Sequence, residues 1–169
     1  MKKMKYKIIL KKLSFLFFNF VLVTSFVACE KIESVPDDTD ILISEVTGKW
    51  VVDIVRDGDP QRTNTISTYN TGANGNNLMW LDDLEHSWGL KAKVSLNLQA
   101  LTFSGSDLDE LYNDVTVDIT EGKIIKGGAT TPSGDVVDSI FFKAEFSDIS
   151  GEIWEYSGYK STAKVDDLP

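Results

Sequence analysis

The sequence predicts an all-β domain, an antiparallel up-and-down meander of about eight strands closed into a small barrel. Three observations predict it. Apolar and polar residues alternate over several short stretches, most clearly across residues 90–100. Turn residues (Gly, Asn, Asp, Pro) separate those stretches at meander spacing. After residue 40 no segment carries the 3.6-residue apolar period of a long amphipathic helix. Closure removes unpaired strand edges; an open two-sheet sandwich is the alternative.

The start of the chain reads as an export leader. Lys2, Lys3, Lys5, Lys7, Lys11 and Lys12 crowd its start, and residues 13–28 are apolar except for Ser14, Asn19, Thr24 and Ser25. A basic start, an apolar middle and small residues before a cut form the secretory pattern. The sixteen-residue run is shorter than the ~20 residues a spanning helix needs, so residues 1–28 are expected to be a cleaved signal peptide. Phe26-Val27-Ala28-Cys29 resembles the bacterial lipobox, with Phe26 in the place of the usual leucine. The resemblance implies lipid attachment at Cys29, and several acyl chains anchor stably where one does not. Cys29 is the only cysteine, so no disulfide forms within the chain and the domain relies on its core.

Residues 29–40 are polar and acidic, carry Pro36, and read as a flexible tether. This acidic stretch resembles surface-export signals of Bacteroidetes lipoproteins. The expected address is the cell envelope, lipid-anchored at the outer membrane on its periplasmic or its surface face. All twenty-six acids follow Ala28; the seventeen Lys+Arg less the six leader lysines leave eleven, a net charge of −15. That charge argues against nucleic acid as a partner, and against docking on anionic lipid through a basic patch.

Residues 41–169 are of a size for one domain with its own core. Residues 41–46 fit neither period and read as a short helix or extended lead-in. Trp50, Val52 and Ile54 share one face of a first strand, which a turn at residues 57–60 ends. A Thr-rich strand over residues 63–71, an Asn-Gly loop, and a short apolar strand at residues 78–81 follow. In residues 90–100, Leu90, Ala92, Val94, Leu96 and Leu98 share one face; the slip at Ala100-Leu101 requires a bulge or a tight turn. Val115, Val117 and Ile119 form a strand that Glu121-Gly122 turns into residues 123–126 as a hairpin. A loop at residues 127–134 leads to a strand over 136–146, Ser150-Gly151 turns it into a last strand over 152–160, and residues 165–169 fray.

Laid out in this way, the chain resembles a Bacteroidetes lipoprotein family described as lipid-binding putative hydrolases, lipocalin-like in fold. The resemblance rests on Gly48-Lys49-Trp50, Tyr69-Asn70-Thr71, Met79-Trp80-Leu81-Asp82-Asp83, Gly122-Lys123-Ile124-Ile125, Val137-Asp138-Ser139-Ile140 and Ser157-Gly158. It covers nearly the whole domain. Gly48-Lys49-Trp50 also resembles the Gly-x-Trp opening lipocalin barrels, which implies that Trp50 plugs a closed end.

The residues themselves supply no catalytic constellation. There is no Gly-x-Ser-x-Gly elbow, and His86, the only histidine, lies among acids in a loop. One histidine and one cysteine make no zinc site, no phosphate or dinucleotide loop is present, and no cofactor is expected. Hydrolysis is implied by the family's description alone.

Candidate ligand-contacting residues are Trp50, Tyr69, Met79, Trp80, Trp88, Phe103, Phe142, Trp154 and Tyr156, which either line an apolar cavity or pack as ordinary core. An outward Trp80 or Trp154 would instead offer a sugar-stacking platform. Two readings follow. One is a membrane-anchored barrel carrying a small apolar or lipid-like ligand in an open cavity. The other is an accessory lipoprotein of an envelope assembly, with a filled barrel and a protein partner met through residues 82–88 or 127–134.

Overall fold

The computed structural model describes residues 41–169; the expected signal peptide, Cys29 and the tether lie outside the described residues. Eight antiparallel strands form a closed barrel in chain order: β1 (Gly48–Arg56), β2 (Asp59–Asn70), β3 (Leu78–Asp82), β4 (Lys91–Asn97), β5 (Thr102–Glu110), β6 (Val115–Thr130), β7 (Val136–Phe146) and β8 (Trp154–Lys160). β8 closes the ring on β1, with Val52 opposite Gly158 and Ile54 opposite Tyr156.

Alternation decides what faces inward. Trp50, Val52 and Ile54 of β1, Met79 and Leu81 of β3, Ala92, Val94 and Leu96 of β4, and Ile140, Phe142, Ala144 and Phe146 of β7 join one buried cluster. With the residues of the other strands and with Ile43, Val46 and Leu90 of the connecting segments, twenty-two buried hydrophobic side chains form this cluster. A barrel of about eight strands has an interior that side chains can just fill. Full burial of each large side chain contributes about 1.5–3 kcal/mol, offsetting the chain entropy that no disulfide reduces.

Closure depends on one glycine. A Cβ on Gly158 would sit 1.9 Å from the Val51 carbonyl oxygen, so any side chain there would push β8 off β1. Gly122 does similar work, since a Cβ there would meet the Phe103 ring at 2.5 Å.

One end is sealed by Trp50. Its Nε1–H donates to Thr68 Oγ1 (2.9 Å), and the Thr68 hydroxyl donates to the Val46 carbonyl (2.6 Å). The lead-in before β1 is a 3-10 turn, Ser44–Val46, whose Val46 is buried with Ile43 beside that plug.

Several elements differ from the sequence expectations, each for a physical reason. The hairpin expected at Glu121-Gly122 is absent: β6 runs unbroken for sixteen residues, and Glu121 (φ 55°) absorbs extra residues as a bulge. A bulge and a turn both interrupt a two-residue period, so alternation does not separate them. At residues 98–101 the slip is the tight turn, not the bulge, of the two expected alternatives, with Leu101 at φ 55° and Asn97 Oδ1 accepting from the Ala100 amide. The first turn is two residues, Asp57 (φ 48°) and Gly58 (φ 86°), so β2 starts at Asp59, earlier than expected.

The expected loop at residues 127–134 is shorter, because β6 continues through Thr130. The tail does not fray. Val165–Asp167 forms a 3-10 turn, and the fully buried Asp167 accepts from the Ser133 amide (2.7 Å), the Ser133 hydroxyl (2.8 Å) and the Thr162 hydroxyl (2.5 Å). Burial alone would raise the Asp167 carboxyl; these donors outweigh it and hold the group at about 2.

Candidate functional site

Opposite the Trp50 plug, the barrel ends in four connections: residues 57–58, 83–90, 111–114 and 147–153. The second is the distinctive one. Its ends are tied together, with the Asp83 amide donating to the Leu90 carbonyl (2.7 Å) and the Leu90 amide to Asp83 Oδ1 (2.8 Å). Such a loop is compact and closed at its neck. It forms a lid over the barrel mouth.

The lid is internally organised by Asp83, which is fully buried. Besides Leu90, its carboxylate accepts from the amides of Glu85 (2.9 Å) and Ser87 (3.2 Å) and from the Ser87 hydroxyl. The single Ser87 hydroxyl proton is thereby used, so in the Ser87–Tyr156 contact (2.6 Å) the Tyr156 hydroxyl is the donor. Burial first, and then the Asp83 charge, push the Tyr156 phenol up, which keeps that donor protonated. Leu84 (φ 57°) and Glu85 (φ 59°) both adopt left-handed backbone, at a cost of about 1–2 kcal/mol each. The lid is held in a strained shape.

Outside contacts clasp it down. Arg62 donates to the His86 carbonyl (3.0 Å), His86 Nδ1 meets the Thr65 carbonyl (2.8 Å), and Asn113 donates to the Trp88 carbonyl (3.0 Å). Trp88 is exposed on its outer side, donates to Asp148 (3.2 Å), and tilts over Trp154 with ring centroids 6.2 Å apart. Trp154 meets Phe146 edge-on, and below lie Tyr156 and Phe142, stacked at 4.5 Å, with Phe103 5.9 Å from Phe142. An aromatic column thus runs from the lid into the bore.

Outside the wall, Asp82 anchors the same lid. Adjacent residues of a strand point to opposite faces, so Asp82 faces outward where Asp83 turns into the lid. Its carboxylate accepts from the Leu84 amide (2.9 Å), Tyr112 (2.7 Å), Tyr69 (2.8 Å) and Lys91 (3.0 Å). Burial alone would raise the Asp82 carboxyl, but those four donors together lower it. Tyr69 stacks on Trp80 at 6.4 Å, and Lys93 lies 5.0 Å above the Trp80 ring.

The nine candidate residues therefore fall into three places. Trp88, Trp154, Tyr156, Phe142 and Phe103 form the column under the lid; Trp50 plugs the far end, with Met79 buried in the wall's inner face. Tyr69 and Trp80 face outward and belong to the Asp82 cluster. His86 meets a backbone carbonyl, while its neighbour Ser87 meets Asp83 and Tyr156, so the two are not brought together as base and nucleophile. Sequence reasoning missed Arg56 and Arg62. Arg56 continues the two-residue period of Trp50, Val52 and Ile54, which places it on the inner face at the mouth.

An open groove of about 590 Å³ crosses β4, β5 and β6; it shares Phe103 with the inner end of the column and is also lined by Leu96, Ser104, Gly122 and Lys123. Its size lies within the range of small-molecule sites, about 300–1,000 Å³.

The fold and its mouth define a small closed β-barrel, sealed at one end by a tryptophan and at the other by a lid. Over residues 35–163 the chain matches the family described as lipid-binding putative hydrolase, and it belongs to that family. A search of curated proteins gave no match.

Proposed function

We propose that this protein is an exported lipoprotein, anchored through Cys29, whose barrel binds a small apolar or lipid-like molecule through the lid-covered mouth. The lid carries the reading: a strained, separately tied loop caps an aromatic column inside a bore lined with apolar side chains. Membership of a lipid-binding family supports the same chemistry. The bore is filled while the lid is closed, so uptake requires the lid to lift and the column to repack. A lipid anchor at Cys29, with residues 30–40 as spacer, would keep the barrel near a membrane that supplies such molecules.

The filled bore also favours a second reading, an accessory envelope protein that meets a protein partner through its lid face. Native mass spectrometry of the full chain, released from detergent in the gas phase, separates the two. Carriage gives a reproducible extra mass, lost on denaturation, of a lipid or small apolar molecule. A ligand-free mass that persists after incubation with membrane lipid extract supports the accessory reading. The same spectra read the acyl mass at Cys29, and an unacylated chain ending elsewhere would refute the anchor.

A further inference from the structure

We infer that the mouth takes an amphiphile with an oxyanion head, carboxylate or phosphate, held by Arg56 and Arg62. The inference rests on the lipid-binding reading and names the ligand class.

The chain has two arginines, and both stand at this mouth on the inner face. Arg56 is opposite Trp154 across β1 and β8; Arg62 is opposite Ile54 across β1 and β2. Ile54 and Trp154 point into the core, so their cross-strand partners share that face. In a mature chain of net charge −15, two guanidinium groups at the rim of an apolar bore are an unexpected placement. The planar guanidinium fork matches oxyanions in a way that a lysine does not.

Neither arginine is committed to a strong partner. Arg56 makes a long ion pair with Glu152 (3.7 Å), both side chains well exposed, and its guanidinium lies 5.8 Å above the Trp154 ring. Exposed pairs of this kind contribute little and are readily exchanged. Arg62 is exposed, and its hydrogen bond goes to the His86 carbonyl of the lid. The Trp154 indole N–H, nearly buried beneath Trp88, has no acceptor. A head oxygen would supply the one it lacks.

Recognition and opening are then one event. A head that takes Arg62 removes a clasp from the His86 carbonyl, and the strain at Leu84 and Glu85 favours release of the lid. The tail replaces Trp88 over Trp154 and enters along the aromatic column.

The test is photo-crosslinking of the full chain with three diazirine probes of equal chain length: a fatty acid, an alkyl phosphate and a fatty alcohol, with adducts mapped by mass spectrometry. The acid or the phosphate is expected to label peptides containing residues 83–90 and 146–156 about tenfold more than the alcohol, and the stronger of the two names the head. In Arg56→Gln/Arg62→Gln, labelling is expected to fall to the alcohol's level. Arg56→Gln alone, which leaves the lid clasp in place, is expected to lose at least half of that preference. Equal labelling by alcohol and acid, or an unchanged double variant, overturns the head assignment and leaves lipid binding standing. Adducts confined to the outer groove residues Ser95, Asn97, Thr102 and Lys123, which are not in the column, overturn the mouth. Labelling by no probe above that seen with excess unlabelled palmitate overturns the lipid-binding reading as well.

Discussion

The hydroxyl oxygens of Ser87 and Tyr156 lie 2.6 Å apart, joining the lid to the inner wall of the barrel. Tyr156 donates, Ser87 relays, and the Asp83 carboxylate ends the chain. This latch holds down a loop whose own backbone is strained, beside the clasps of Arg62, His86 and Asn113 and the packing of Trp88 on Trp154.

Tyr156→Phe removes the latch and leaves the ring stack on Phe142, at 4.5 Å, in place. A lost hydrogen bond to a partly buried network costs about 1–2 kcal/mol. The expected outcome is a barrel that melts cooperatively a few degrees lower and a lid cut faster by protease between residues 84 and 89. Unchanged proteolysis would show that the lid is held elsewhere.

Asp82 fastens the lid from outside, and its carboxyl sits below its ordinary value of 3.8. A carboxylate with a lowered folded pKa gives stability above 3.8 that is lost as pH falls through the folded value. Asp82→Ala removes the acceptor of Lys91 and two tyrosine hydroxyls, at a cost of about 1–3 kcal/mol. Asp82→Asn retains bulk, is expected to cost less, and should flatten the fall of the thermal midpoint on acidification. Thermal melts between pH 2 and pH 6 (about the range where carboxyls titrate) measure both effects.

Asp167 pins the tail to the turn after β6, and its carboxyl is held at about 2. The stabilisation it gives is complete above the ordinary 3.8 and is lost as pH falls towards about 2. Acid should therefore free residues 161–169 at the bottom of that window, and Asp167→Asn should free them at neutral pH. Backbone NMR shifts of residues 131–135 report the detachment; a tail that stays docked in the variant would contradict the assignment.

Gly158→Ala places a methyl 1.9 Å from the Val51 carbonyl oxygen and is expected to destabilise by more than ~3 kcal/mol or prevent folding. Gly72→Ala, where a Cβ meets nothing within 4 Å and φ is not positive, is the control. It should change stability by less than about 1 kcal/mol. Chemical denaturation of the two variants gives the comparison, and similar midpoints would remove Gly158 from barrel closure.

Much of this fold was legible in the chain, because one buried face imposes a two-residue period. β4 and β7 announce their inner residues by alternation alone: Ala92, Val94 and Leu96, then Ile140, Phe142, Ala144 and Phe146. What escaped were features that break the period or arise from distant contacts. The bulge at Glu121 resembles a turn because either one shifts the inward set, here from Ile119 to Ile124. The tail looked loose because Asp167 finds Ser133, thirty-four residues away. The lid was visible as a loop but not as a cover, since Ser87 and Tyr156 are sixty-nine residues apart. Residue type alone leaves Tyr69 and Trp80 among the candidate cavity residues, with an outward Trp80 as the alternative; their place in the alternation puts both outside. Arg56 needed no structure at all: its spacing from Ile54 already put it at the inner rim.

Hydrogen exchange on the full chain, with and without saturating palmitate, tests most directly whether the lid is the gate. Loading through the mouth predicts changed protection at residues 83–90 and 154–156, with residues 46–50 and 66–68 at the Trp50 plug unchanged. Altered exchange at the plug with a silent lid, or no change anywhere under a ligand shown to be bound, would contradict it.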